Sequence, residues 1–365
     1  MSAVLRRLGE MHGKRGWTVF AVLLFLAAVV VPTLSLAFPV SSPLHVPDYA
    51  IALLGKLLCY SIVGVAMDLI WGFTGILSLG HGVFFALGGY AMGMYLLLAI
   101  GEQGVYRSKL PDFMVFLDWK ELPWFWKGFD SFGFALIAAL VVPGVVAYVF
   151  GYFAFRSRIK GVYFSIITQA MTYALMLLFF RNDTGFGGNN GLTNFKEIYG
   201  YPLGASSTKV GLYVLTVLAL AATYFLCRFL VTAKIGRILR AIRDAESRLM
   251  FSGYDPKRFK LFVWTLSAVL CGVAGALYVP QVGIINPSEM QPANSIEMAI
   301  WVAVGGRATL VGGILGALLV SGGKSYFTVA APELWLYILG ALFIAVTLYF
   351  PRGVVGILDL AKRRA

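Results

Sequence analysis

Apolar runs of membrane-crossing length recur along this chain, and no other feature restricts its fold as strongly. They cover residues 17–38, 49–70, 76–100, 132–155, 162–180, 210–230, 261–284, 310–329 and 334–350. A bilayer core is about 30 Å thick and a helix rises about 1.5 Å per residue, so roughly 20 apolar residues cross it. The runs therefore read as the spans of an all-α, polytopic transmembrane helical bundle. Composition agrees: 13% of residues are charged, against about a quarter in soluble domains.

A further segment, residues 294–304, is too short to cross unaided and is followed by Gly305, Gly306 and Arg307. It reads as a half-helix or broken span, of the kind that lines a cavity or lies buried in protein. The loops set the sidedness. Arg6, Arg7, Lys14 and Arg15 place the N-terminal end inside, as do Arg156, Arg158 and Lys160 for their loop and Arg352, Lys362, Arg363 and Arg364 for the C-terminal end. Residues 101–131 and 181–208 carry mixed charge and fit the outside. Two inner ends require an even number of crossings, and counting the short segment gives ten. The basic stretch 1–16 before the apolar run 17–38 has a cleaved signal peptide as its rival reading. The run is about 20 residues, longer than an h-region of about 7–15, so an uncleaved first helix is expected. The organisation is a cytoplasmic segment 1–16, one transmembrane domain 17–350 and a cytoplasmic tail 351–365.

Residues 231–260 interrupt the apolar pattern. Lys234, Arg237, Arg240, Arg243, Arg248, Lys257, Arg258 and Lys260 face only Asp244, Glu246 and Asp255. Apolar residues return at helical spacing: Ile235, Ile238, Leu239, Ile242, Leu249 and Met250, until Gly253 and Pro256 break the pattern. A short amphipathic helix on the cytoplasmic surface is expected, its apolar face awaiting a partner. The net charge of +13 lies in such loops, which excludes nucleic-acid binding as its explanation.

Motifs for chemistry are absent or incomplete. Ser321-Gly-Gly-Lys-Ser325 resembles the end of a phosphate-binding loop, but Leu318 stands where glycine is needed and no strand precedes it. Lys324 is expected to snorkel at the outer surface. Gly185-Phe-Gly-Gly-Asn-Asn-Gly191 has Asn190 where a dinucleotide fingerprint needs its third glycine; it reads as an external turn presenting Asn189 and Asn190. Cys59, Cys227 and Cys271 lie in apolar runs and His12, His45 and His81 are scattered, so no metal or cofactor is expected. No nucleophile, base and orienter form a set, and the chain is not expected to be an enzyme. Polar residues inside the runs are costly and therefore informative. Thr168, Gln169 and Thr172 are neutral groups suited to a small polar solute, or to helix–helix hydrogen bonding. Asp68 and Glu297 have two readings: ion-coupling groups, or partners of a neighbour.

Asp68-Leu-Ile-Trp-Gly-Phe-Thr-Gly-Ile-Leu-Ser-Leu-Gly-His-Gly82 and the stretch on to Tyr90 resemble a signature of the inner-membrane permeases of branched-chain amino-acid ABC importers, M-type subunit. Gly236-Arg-Ile-Leu-Arg-Ala-Ile-Arg-Asp-Ala-Glu246, followed by Gly253, resembles that family's cytoplasmic coupling segment, and residues 266–278 also fit. Residues 161–169 and 180–193 are similar to the urea-type branch, the C-type urea permease. The insert 101–131, with Trp119, Trp124 and Trp126, departs from the amino-acid branch.

The resemblance implies a multi-pass protein of the bacterial inner membrane. It implies a homologous permease partner, two cytoplasmic ATP-binding subunits, a periplasmic solute-binding protein and a small polar solute as partners, with membrane lipid around it. It implies Arg237, Arg240, Asp244, Glu246 and Gly253 as ATPase-coupling residues, the apolar face of their helix seated in an ATPase groove. Thr168, Gln169, Thr172, Asn189 and Asn190 are the candidate substrate pathway. Urea needs amides and hydroxyls, whereas a zwitterion needs charges or helix ends. The sequence offers no evident charge pair, which points to urea or a short amide. Branched-chain amino-acid import is the alternative, and an ion-coupled carrier or channel a third.

Overall fold

The computed structural model describes residues 14–39, 41–349 and 353–356. Of the tail assigned to residues 351–365, only 353–356 lie within these. The chain is overwhelmingly helical. Helix α1 comprises Lys14–Phe25, a π-helical turn Leu26–Val30, and Val31–Leu36. Pro32 sits at the start of the last piece; it cannot donate to the preceding turn, which is where a helix widens or bends. Then come α2 (Asp48–Thr74), α3 (His81–Ile100), α4 (Phe132–Arg156), α5 (Val162–Phe180), α6 (Ser206–Thr232), α7 (Lys234–Phe251), α8 (Pro256–Val282), α9 (Pro292–Gly305), α10 (Val311–Ala330) and α11 (Trp335–Tyr349).

Eight of these, α1–α6, α8 and α10, are long and apolar enough to cross a bilayer. The 14-residue α9 spans about 21 Å at 1.5 Å per residue. It is the short helix expected over 294–304, and with α11 it brings the total to the ten expected segments. Boundaries follow local chemistry. Gly75 (φ 75°) and Gly283 (φ 82°) end α2 and α8 in the left-handed region. Asp255 accepts from Lys257 N at 3.2 Å and, with Pro256 behind it, starts α8.

Helices α2, α3 and α8 form the buried centre, packed on one another and flanked by α4, α6, α9 and α10. Helix α1 lies outside, stacking Trp17 and Phe20 on Phe225 and Tyr224 of α6. The α3–α8 contact is so close that a Cβ on Gly275 would lie 1.9 Å from Phe85 O.

One span differs from expectation. The apolar run 76–100 becomes helical only at His81, and residues 75–80 are non-helical. Their hydropathy gave no warning, because Ile76, Leu77 and Leu79 are apolar in either conformation.

The outer side is folded tightly. Strands β1 (Leu192–Thr193) and β4 (Ile284–Ile285) pair antiparallel, Leu192 opposite Ile285. Strands β2 (Glu197–Ile198) and β3 (Tyr201–Pro202) make a hairpin. The insert 101–131 has a clear role here: Trp126 is buried and donates to Gly185 O at 2.9 Å. Phe125 and Phe179 both stack on Phe186. The insert thus braces the glycine-rich loop 185–191.

Candidate functional site

The non-helical segment 75–80 runs inward from the exposed Gly75 to the buried Ser78 and Gly80. His81 hydrogen-bonds Ser267 through Nε2 at 3.2 Å, and Ser267 is about 16 Å along α8 from Pro256. Helix α3 therefore begins deep in the membrane, and the backbone leading to it needs partners from neighbouring helices. Helix α5 supplies them. Ser165 Oγ donates to Leu77 O at 2.8 Å, Thr168 Oγ1 accepts from Leu79 N at 3.1 Å, and Thr172 Oγ1 donates to Leu79 O at 3.2 Å. His81 Nδ1 lies 3.1 Å from Ser78 Oγ, and Gly82 N donates to Ser295 Oγ of α9 at 3.2 Å. The buried hydroxyls of Thr168 and Thr172 are thereby occupied in holding the interrupted span. Gln169 is half-buried, and Asn189 and Asn190 are exposed at the outer surface. The five pathway candidates are not brought together. Asn190 instead borders an outer cavity of about 390 Å³ with Gln103, Asp112 and Lys196.

A charged cluster stands beside the start of α9. Lys324 Nζ lies 2.6 Å from Glu297 Oε2. Lys324 lies within α10 rather than at its end, and its partly exposed side chain reaches across to α9. Glu297 is buried while Lys324 is half open. Tyr278 donates to Glu289 Oε1 at 3.3 Å, and Lys56 lies 5.8 Å from the centre of the Tyr60 ring. Tyr60, Glu289, Asn294, Glu297, Met298, Trp301 and Lys324 enclose a cavity of about 20 Å³, which is room for roughly one water centre. That space is too small for a solute larger than water. Sequence reasoning missed the pairing because its members are 27 residues apart on two helices.

Asp68 lacks the solvent access that ion coupling would use, and three of its lone pairs are taken. It is fully buried, and its carboxylate accepts from the backbone N–H groups of Ala308 (2.7 Å), Thr309 (3.0 Å) and Leu310 (2.7 Å). It caps the start of α10 from another helix.

The amphipathic segment folds as α7, with one difference from the sequence reading. Its apolar stripe does not wait for a partner: Ile238, Leu239, Ile242 and Leu249 are buried in the chain's own core. Isolated, such a stripe would cost about 2 kcal/mol per exposed side chain. The face turned outward is basic, with Arg237, Arg240 and Asp244 exposed, and it ends in Phe251, which is 91% exposed. Ala245 (φ −160°, ψ 72°) divides α7 into residues 234–244 and 246–251. Each piece has its own anchor. Arg243 Nη1 donates to Gly72 O of α2 at 2.8 Å, and its Nε to Asp244 Oδ1 at 2.8 Å. Glu246 pairs with Lys260 of α8 at 2.6 Å and Lys160 of the α4–α5 connection at 2.9 Å. Gly253 follows with φ 81°.

Burial works against the charge on Glu246, but the Lys260 and Lys160 ammoniums outweigh it and hold the carboxyl below its usual value of 4.5. A lowered folded-state pKa stabilises above the unfolded value and is lost on acidification. The anchor of residues 246–251 is expected to hold at neutral pH and to loosen as pH falls below about 4.5. Glu246→Gln should abolish that dependence and cost about 2 kcal/mol at pH 7, since Lys260 is left buried without its partner. Amide exchange over residues 246–251 against pH measures both. Gly253→Ala meets no steric neighbour and should cost only the left-handed backbone penalty, about 1 kcal/mol, read as a shift in thermal melting.

The model of the family described as branched-chain amino acid transport system / permease component matches residues 49–347. The high-affinity branched-chain amino acid transport system permease protein LivM of Escherichia coli K12 is 24% identical over 356 residues, covering 91% of this chain and 74% of that protein. The probable branched-chain amino acid transport permease protein LivM of Methanocaldococcus jannaschii is 23% identical over 268 residues, covering 71% and 75%. The ribose import permease protein RbsC of Escherichia coli K12 is 21% identical over 196 residues, covering 51% and 58%. No solved structure matches.

Proposed function

Because this chain belongs to the branched-chain amino acid transport system permease component family, we propose that the solute it passes is an α-amino acid with an apolar side chain. The chain is the permease subunit of an ATP-binding-cassette importer, a multi-pass protein of the inner membrane and a transport subunit rather than an enzyme. Permease components of such importers work with ATP-binding subunits and a solute-binding protein.

One observation carries the choice of solute: the Glu297–Lys324 pair beside Glu289 in the membrane interior. An amino acid presents an ammonium and a carboxylate, and acidic and basic side chains held in one small enclosure answer both. Tyr60, Met298 and Trp301 add the apolar wall that a branched side chain needs. Of the two grounds for urea, the want of a charge pair no longer applies, since Glu297 and Lys324 form one. The urea-like segment also has other work here, since Thr168 and Thr172 clamp residues 77–79. The pathway therefore runs past α9 and α10, with a second permease subunit closing the side on which Lys324 is open.

Coupling to ATP hydrolysis is assigned to the outward basic face of α7. Arg237, Arg240 and Asp244 meet the ATP-binding subunit, while Glu246 and Gly253 hold the second piece of the helix in place. A carrier driven by ions through Asp68 would need that carboxylate free, and three backbone N–H groups engage it.

The test is uptake of labelled leucine and of labelled urea by cells carrying the complete system, with and without the ATP-binding subunit. Leucine uptake that vanishes without that subunit, and that unlabelled urea does not compete with, is the expected result. Urea uptake insensitive to leucine defeats the solute assignment, and uptake that survives loss of the ATP-binding subunit defeats the coupling assignment.

A further inference from the structure

Within four residues, the inner end of α2 touches both the coupling helix and the turn between α9 and α10. Asp68 holds that turn through the three N–H groups of Ala308, Thr309 and Leu310. Ala308 and Leu310 have φ of 61° and 59°, a left-handed conformation that non-glycine residues adopt only when their surroundings impose it. One helical turn on, Gly72 O accepts from Arg243 of α7 at 2.8 Å. Gly72 is wedged between the two contacts: a Cβ there would lie 2.2 Å from Asp68 Oδ1 and 2.5 Å from Ala308 N. Gly353 closes the turn from the other side, where a Cβ would lie 2.5 Å from Gly306 N.

We propose that Asp68 and Gly72 make the inner end of α2 a rigid junction that carries movement of the first piece of α7 to the α9–α10 turn. Asp68 is thus a positioning residue for transport. The inference rests on the importer reading above. Charge-assisted hydrogen bonds in a water-free site are strong, and three on one carboxylate fix both its position and its direction. The first piece of α7 is tied to Gly72, while Ala245 frees it from the piece anchored by Glu246. Beyond the turn, α9 carries Glu297 and α10 carries Lys324. Lys324 is about 20 Å along α10 from its start, so a small tilt at the turn becomes a large separation of the pair. The small space beside the pair would widen by that tilt.

The experiment uses the complete importer in liposomes, with its ATP-binding and solute-binding partners. Asp68→Asn keeps the shape of the side chain and removes the charge that gathers three donors. ATP hydrolysis is expected to stay within about twofold of wild type while import falls about tenfold or more, so that solute moved per ATP collapses. Spin labels at Lys234 of α7 and Arg307 of the turn report the junction directly. Their separation should stay constant through the nucleotide cycle in the otherwise wild-type chain and vary in Asp68→Asn. Import by Asp68→Asn within about twofold of wild type, or a wild-type label distance that changes with nucleotide, overturns the proposal. If Asp68→Asn fails to assemble, Arg243→Gln is scored by the same ratio and decides it. A wild-type importer whose leucine uptake ignores ATP would instead strike at the importer reading.

Discussion

Replacing Lys324 by methionine is expected to lower stability by about 3 kcal/mol and to abolish amino-acid import. The variant strands Glu297, whose side chain is only 9% exposed and whose close cation is lost. The loss sits at the low end for splitting a buried pair because Lys324 is itself 42% exposed and partly screened. The double variant Lys324→Met with Glu297→Gln removes both charges together. It should recover most of the stability, since a buried pair is worth little net once neither partner is left alone. It should not recover import, because the groups that answer a zwitterion are gone. Thermal melting in detergent separates the first effect and leucine uptake the second. Full uptake by the double variant would remove the pair from the pathway.

The second large effect concerns packing. Gly275→Val is expected to prevent assembly of the bundle. A Cβ at Gly275 would lie 1.9 Å from Phe85 O and 2.8 Å from Gly89 N, both backbone atoms of α3. A side-chain neighbour can rotate away, but a helix backbone must shift as a body. Core overpacking usually costs about 1–3 kcal/mol, and here the displaced partner is a central helix, so the upper end or more is expected. Gly211→Ala in α6 is the control, because nothing lies within 4 Å of its Cβ position. That variant should be neutral or slightly stabilising through helix propensity. Folded fraction after detergent extraction, compared between the two, checks the prediction.

The long spans were legible because lipid rewards one simple property, a sustained apolar run, and the short α9 betrayed itself by falling below the crossing length. The interruption at residues 75–80 was hidden, since Leu77 and Leu79 look the same to a hydropathy reading whether helical or extended. The signal that existed was polar: Ser165, Thr168 and Thr172 recur along one face of α5, a pattern consistent with clamping a bare backbone as well as with a solute path. The basic segment 231–260 was read correctly as carrying a helix, but its stripe was given to an outside partner when α7 had an inside one. Ala245 carries no mark of a break in sequence. Asp68 was recognised as costly, yet its partners lie 240 or more residues away and are backbone groups, which no side-chain pattern advertises.

The clamp on Leu79 has a bearing on biosynthesis. Its partner Thr168 is encoded 89 residues later, so as the ribosome delivers residues 76–100 to the translocon, the unpaired amides at their leading edge have nothing to bind. A chain cut before the fifth helix is therefore expected to leave the Leu79 N–H and C=O without these hydroxyl partners.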